Sequence, residues 1–183
     1  HRLYFHQQRY AHLDKNKNIV FLALVLTLVF IIVKISAVLS DTLVPNLSIP
    51  VPGASIIYAA PVAASAMLIC LFLGFEVALP FSMVAAFCAA VLSGSRIDIF
   101  IFFLINNSMA AYWVKHCRER KVLITAGMKL GLLNVVLATT TSIYAADYAG
   151  LKRFWDWCLA FLGGVVSAIV TIGIAPLLEM SFQ

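Results

Sequence analysis

IVFLALVLTLVFIIVKISAVLS, residues 19–40, carries a single charge, Lys34. An α-helix rises 1.5 Å per residue, so about 20 apolar residues match the ~30 Å hydrocarbon core of a bilayer. This run therefore predicts a membrane-crossing helix, and the rest of the chain repeats the pattern. Apolar residues make up 63% of 183, charged residues only 11%, and the mean hydropathy is +0.99. A soluble domain averages nearer ~45–50% apolar and ~25% charged. A water-soluble fold of this size cannot bury such an excess, whereas lipid accepts it.

Outward from that run, DTLVPNLSIPVPGAS (41–55) holds Pro45, Pro50 and Pro52, which exclude a regular helix and predict a loop. Residues 56–93 are too long for one crossing and suit two, divided at Gly74-Phe75-Glu76. Pro61 and Pro80 then fall in first turns, where a missing N–H costs least. With further runs at 97–114, 122–146 and 154–178, the expected helices are 19–40, 56–73, 76–93, 97–114, 122–146 and 154–178. The fold class is an all-α polytopic transmembrane bundle of about six helices over residues 19–183. It comes after a basic cytoplasmic or interfacial segment, residues 1–18, too polar to insert. No signal peptide precedes the first run, and a chain opening on His1 reads as an excerpt of a longer polypeptide.

Lysine and arginine in short loops set orientation. With the N-terminus inside, Arg2, Arg9, Lys15, Lys17, Lys115, Arg118, Arg120 and Lys121 lie in the cytoplasm, and Arg96, Lys152 and Arg153 outside. Eight against three places both ends of the segment in the cytoplasm. Tyr112 and Trp113 on one side, and Tyr144, Tyr148, Trp155 and Trp157 on the other, fit interfacial belts. The net charge of +5 does not signal a nucleic-acid partner, because the basic residues flank apolar runs.

No phosphate loop, nucleophile elbow, dinucleotide fingerprint or H-E-x-x-H motif is present. His1, His6, His12 and His116 lie outside the apolar runs. Cys70, Cys88, Cys117 and Cys158 lack metal-site spacing and read as small buried thiols. No catalytic, cofactor-binding or metal-ligating residue is expected in this segment. Polar side chains inside the membrane are the better candidates, because lipid makes them costly. These are Lys34, Asn106, Asn107, Lys129 and Asn134. The lysines read as snorkelling side chains, with Asp41 near Lys34, and the amides as interhelical hydrogen-bonders. Asp156 is placed to pair with Lys152 or Arg153 on one helical face. Gly127 and Gly131, with Gly163, Gly164, Ser167 and Gly173, mark close packing of the last two helices, since helices in lipid rely on small residues for contact.

Several stretches resemble a known family. IAPLLEMSF (174–182), preceded by FLGGVVSAIVTIG, is similar to the last membrane helix of the seven-transmembrane HD phosphohydrolases. YAAPVAASAMLICLFLG (58–74), AGMKLGLLNVVL (126–137) and LYFHQQRYAHLDKNKN (3–18) resemble other parts of that membrane region. In the family a glycine and a Thr-rich stretch usually come after the phenylalanine, whereas Gln183 succeeds Phe182 here. The resemblance implies an extracellular sensor, a membrane bundle and a cytoplasmic HD domain that hydrolyses cyclic-di-AMP. This segment would then be the anchor and signal-transmitting bundle, with divalent metals expected only in the HD domain. The partners implied are the bilayer of a bacterial cytoplasmic (inner) membrane, the sensor and HD domains of the same polypeptide, and a possible homo-oligomer. The alternative is a small-molecule-binding membrane protein, such as the substrate-capture subunit of a vitamin importer, with Asn106, Asn107 and Asn134 lining a midplane pocket.

Overall fold

The computed structural model describes residues 15–43, 53–116, 120–144 and 150–182. Its elements are α1 (Lys15–Leu43), α2 (Gly53–Tyr58), α3 (Ala63–Leu73), α4 (Phe75–Leu92), α5 (Ile97–Val114), α6 (Arg120–Tyr144) and α7 (Gly150–Phe182). Among the described residues there is no strand. Six segments are long and apolar enough to cross a membrane: 17–42, 55–73, 75–92, 97–114, 121–143 and 153–178. They match the six expected runs to within a few residues, and α2 and α3 together make the second. The chain is a multi-pass membrane protein. Of the basic segment expected over residues 1–18, residues 15–18 open α1, and the remainder, with His1, His6 and His12, lies outside the described residues, as does Cys117.

Two features depart from the expected pattern. Helix continues through Asp41 to Leu43, where Thr42 returns its hydroxyl to the Val38 carbonyl at 2.7 Å. The second span is broken. α2 begins at Gly53, directly after Pro52, so Pro61 arrives more than two turns into the segment rather than in its first turn. Having no N–H, it cannot bond the Ile57 carbonyl, and its ring crowds that turn. The chain unwinds over residues 59–62, with Ala60 instead donating to Ile57 at 3.1 Å and Val62 to Ala60 at 2.8 Å. α3 then restarts at Ala63, and its N-cap residue, Val62, supplies no side-chain hydrogen bond.

Gly74 alone joins α3 to α4, at φ 92° and ψ 168°. This backbone region is open essentially to glycine only, which is why the chain can reverse there in one residue. α4 turns into α5 through Ser93–Arg96, with Gly94 at φ 88°. Spans successive in the chain are therefore antiparallel. Phe21 of α1 meets Phe72 of α3, with ring centroids 5.4 Å apart. One end of the bundle carries Phe21, Gly74 and Lys115, and the other Ser55, Gly94 and Asp156. The second span is the most enclosed and α1 the least.

The seam between α6 and α7 is built on glycine. A methyl group added at Gly127 would strike the Ala168 side chain, and one at Gly164 the backbone of Gly131. At Gly131 it would lie 2.8 Å from the Phe161 ring; Gly163 instead faces the second span, where a methyl group would lie 2.6 Å from the Tyr58 carbonyl oxygen. The backbones touch, as lipid-embedded helices require when no hydrophobic drive holds them together. Gly173 differs, because nothing lies within 4 Å of such a methyl there.

Candidate functional site

A column of polar side chains descends from the Gly94 end into the middle of the bundle. At its top, half-buried Asp156 of α7 accepts a hydrogen bond from Ser55, which is fully buried at the start of the second span. Ser142 of α6 lies 3.2 Å from the other carboxyl oxygen, while also donating to Ala138 at 2.8 Å. Asp156 thus draws α2, α6 and α7 together. It does not take the neighbouring Arg153, whose Nε has no hydrogen-bond partner. One turn lower, Tyr58 donates to Thr141 at 3.2 Å, and its ring lies 4.7 Å from that of Phe102. Trp157 donates its indole N–H to Thr139 at 2.8 Å.

Three asparagines lie deeper in the bundle. Asn134 donates to the Ala160 carbonyl of α7 at 3.1 Å, but its own oxygen has no partner. Asn106 and Asn107, in the middle of α5, are 2% and 0% exposed. The Asn106 oxygen and both polar atoms of the Asn107 amide are unpartnered. Interhelical hydrogen bonding, expected for all three, is thus made by one nitrogen of Asn134. The contact between Tyr58 and Phe102, and a 3.3 Å approach of Cys70 Sγ to the Ala111 carbonyl, fix the register of the second span against α5. Asn106 and Asn107 fall between those two contacts, level with the unwound turn and the start of α3. Gly163, pressed on Tyr58 and Ala59, brings α7 to the same depth.

The other polar candidates lie elsewhere. Lys34 and Lys129 are exposed on the outward faces of α1 and α6. Ser167 is buried and returns its hydroxyl to Gly163 at 2.7 Å, and Thr171 approaches Met67 Sδ at 3.6 Å. Cys70 is buried, while Cys88 and Cys158 are half-buried. No three His, Cys, Asp or Glu side chains converge among the described residues. At the Gly94 end, Arg96 pairs with Asp98 at 2.6 Å, and that hydrogen bond holds the guanidinium's pKa above its already very basic ordinary value.

A family model for a seven-transmembrane receptor with an intracellular HD hydrolase matches residues 2–183. The chain belongs to this family. It is also 22% identical, over 186 residues, to the cyclic-di-AMP phosphodiesterase PgpH of Bacillus subtilis (strain 168). That alignment covers 98% of this chain and 25% of the relative, so the chain spans about a quarter of that protein's length. No solved structure gives a significant match. Ser55, Tyr58, Thr141 and Ser142 went unnoticed in the sequence. Each is an ordinary residue of a helix end, and only the fold brings them to Asp156 and Phe102.

Proposed function

We propose that this segment is the signal-transmitting membrane bundle of an HD-type cyclic-di-AMP phosphodiesterase. It would couple an extracellular sensor to a cytoplasmic catalytic domain carried beyond α7. The match over residues 2–183 supports this reading over an importer subunit. The observation that carries it is the position of α7. At one end this helix holds Asp156 against α2 and α6; lower down it seats Gly163 on the unwound turn and Thr171 on α3. A displacement of the outer ends of α2 or α6 is therefore delivered to α7 directly. The eight-to-three charge bias supports a cytoplasmic exit for α7. Divalent metals would serve the HD domain alone, and no chemistry is assigned to the bundle itself.

The test is insertion of one to four alanines after Leu178 in the full-length protein, reading cyclic-di-AMP hydrolysis in membranes. Each inserted residue rotates the downstream chain by about 100°, so activity should change with one or two insertions and recover towards three or four. Activity indifferent to all four would sink rigid coupling through α7.

A further inference from the structure

We propose that Asn106, Asn107 and Asn134 form an intramembrane binding site for a small neutral hydrogen-bonding ligand, seated beside the unwound turn of the second span. The starting point is an imbalance. Four amide atoms on these side chains are buried and unpartnered, three of them oxygens and one the Asn107 nitrogen. A buried polar group without a partner is strongly unfavourable in surroundings without water. Leucine, with the same branched skeleton of four side-chain heavy atoms, would carry no such cost. The amides therefore call for an occupant that completes them.

Their placement says where it sits. On α5, Asn106 lies one turn from Ala110, which packs with Ala63 and Met67 of α3 and with Ala126 and Leu130 of α6. Asn107 lies one turn from Ala111, whose carbonyl Cys70 of α3 approaches. Both are thus on the side of α5 that meets the start of α3, where the helix ladder is interrupted and no side chain caps the new N-terminus. Asn134 joins them from α6, held by Ala160, which is one turn from Gly163. Leu130 of α6 and Ala110 of α5 share one packed cluster, and Asn134 and Asn106 each lie one turn from them towards the Gly94 end, which puts these two amides at similar depth. The neighbouring residues at Ala63, Ala110 and Ala126 are small.

The same surroundings define the occupant's chemistry. The buried polar residues among those described are serine, threonine and asparagine, with no ionised side chain. A charged ligand would be an isolated ion at membrane depth, which is strongly unfavourable. A neutral one that donates to the three oxygens and accepts from the Asn107 nitrogen completes the set. Two or more ordered waters together have this chemistry, and so does a small solute with several hydroxyl or amide donors.

Radiolytic hydroxyl-radical labelling of the full-length protein in lipid nanodiscs, with ¹⁸O-water as the probe, tests this. Water in the site is expected to label Met67, Phe102 and Phe103 several-fold faster than Phe21 and Phe72, although all five are buried. That excess should vanish in the Asn106→Leu/Asn107→Leu variant. A solute in the site would instead leave these residues unlabelled and appear in native mass spectrometry as a bound mass, lost in the same variant. Labelling that persists undiminished in a folded variant overturns the assignment to these asparagines. Wild-type protein with neither excess label nor bound mass overturns the site itself, and that arm decides even if the variant fails to fold.

Discussion

Ser55 donates its hydroxyl to Asp156 across 101 residues of sequence, closing the Gly94 end of the bundle with one hydrogen bond between the second span and α7. Hydrogen bonds between membrane helices average about 0.6 kcal/mol, while those to charged groups in proteins run to about 1.5–3 kcal/mol. We therefore expect Asp156→Ala to destabilise by about 1–3 kcal/mol, since Ser142 loses its second acceptor as well. A double-mutant cycle with Ser55→Ala, read by unfolding in micelles, should return a coupling near 1 kcal/mol. Strict additivity of the two substitutions would show that the contact contributes nothing.

Gly74 and Gly173 make a matched pair. A methyl group meets nothing within 4 Å at either, yet Gly74 has φ 92° and Gly173 is helical. Gly74→Ala should cost about 1–3 kcal/mol through backbone strain alone. Gly173→Ala should be neutral or stabilise by up to about 1 kcal/mol, because alanine is the better helix former. Thermal unfolding of the two variants side by side checks both signs.

The seam between α6 and α7 has no slack. Gly164→Ala would press a methyl group on the Gly131 backbone, which cannot swing away as a side-chain tip can. A loss of about 1–3 kcal/mol or more is expected. Gly131→Ala should cost less, because its nearest obstacle at 2.8 Å is the Phe161 ring. The reverse order of melting temperatures would contradict this packing.

Arg96 and Asp98 form an exposed pair, so Arg96→Ala should change stability by less than about 1 kcal/mol. The sign of its pH dependence comes from the raised Arg96 pKa. That contribution is fully present below the unfolded pKa of arginine and is lost only as pH rises through the still higher folded value. Between about pH 5 and 9 the difference between wild type and variant should stay flat.

Much of the architecture was legible because lipid imposes a length on apolar runs. The glycines at 127, 131 and 164 could be read as the surface that packs α6 on α7 for the same reason, whereas Gly163, expected there too, faces Tyr58 and Ala59 of the second span. The break at residues 59–62 could not. Pro61 looked harmless in a first turn, and only the helical start at Gly53 moves it deep enough to unwind the span. Asp156 offers a similar lesson. Its neighbour Arg153 suggested itself as a partner, with Lys152, whose side chain lies outside the described residues, but local spacing cannot foresee a serine 101 positions away. The asparagines were recognisable as costly residues, but which of their atoms go unpartnered depends on the packing of α3 against α5.

The helices also differ in reach. α4 and α5 have 18 residues each, about 27 Å, whereas α7 has 33, about 50 Å. A bilayer of ordinary thickness matches the first pair only by thinning around it, and accommodates the other by tilt or by projection into the headgroups. The bundle thus meets its membrane with one short flank and one long one. A thicker bilayer strains the α4–α5 flank and draws α7 upright, so lipid chain length becomes a mechanical input to the same helix that Asp156 holds.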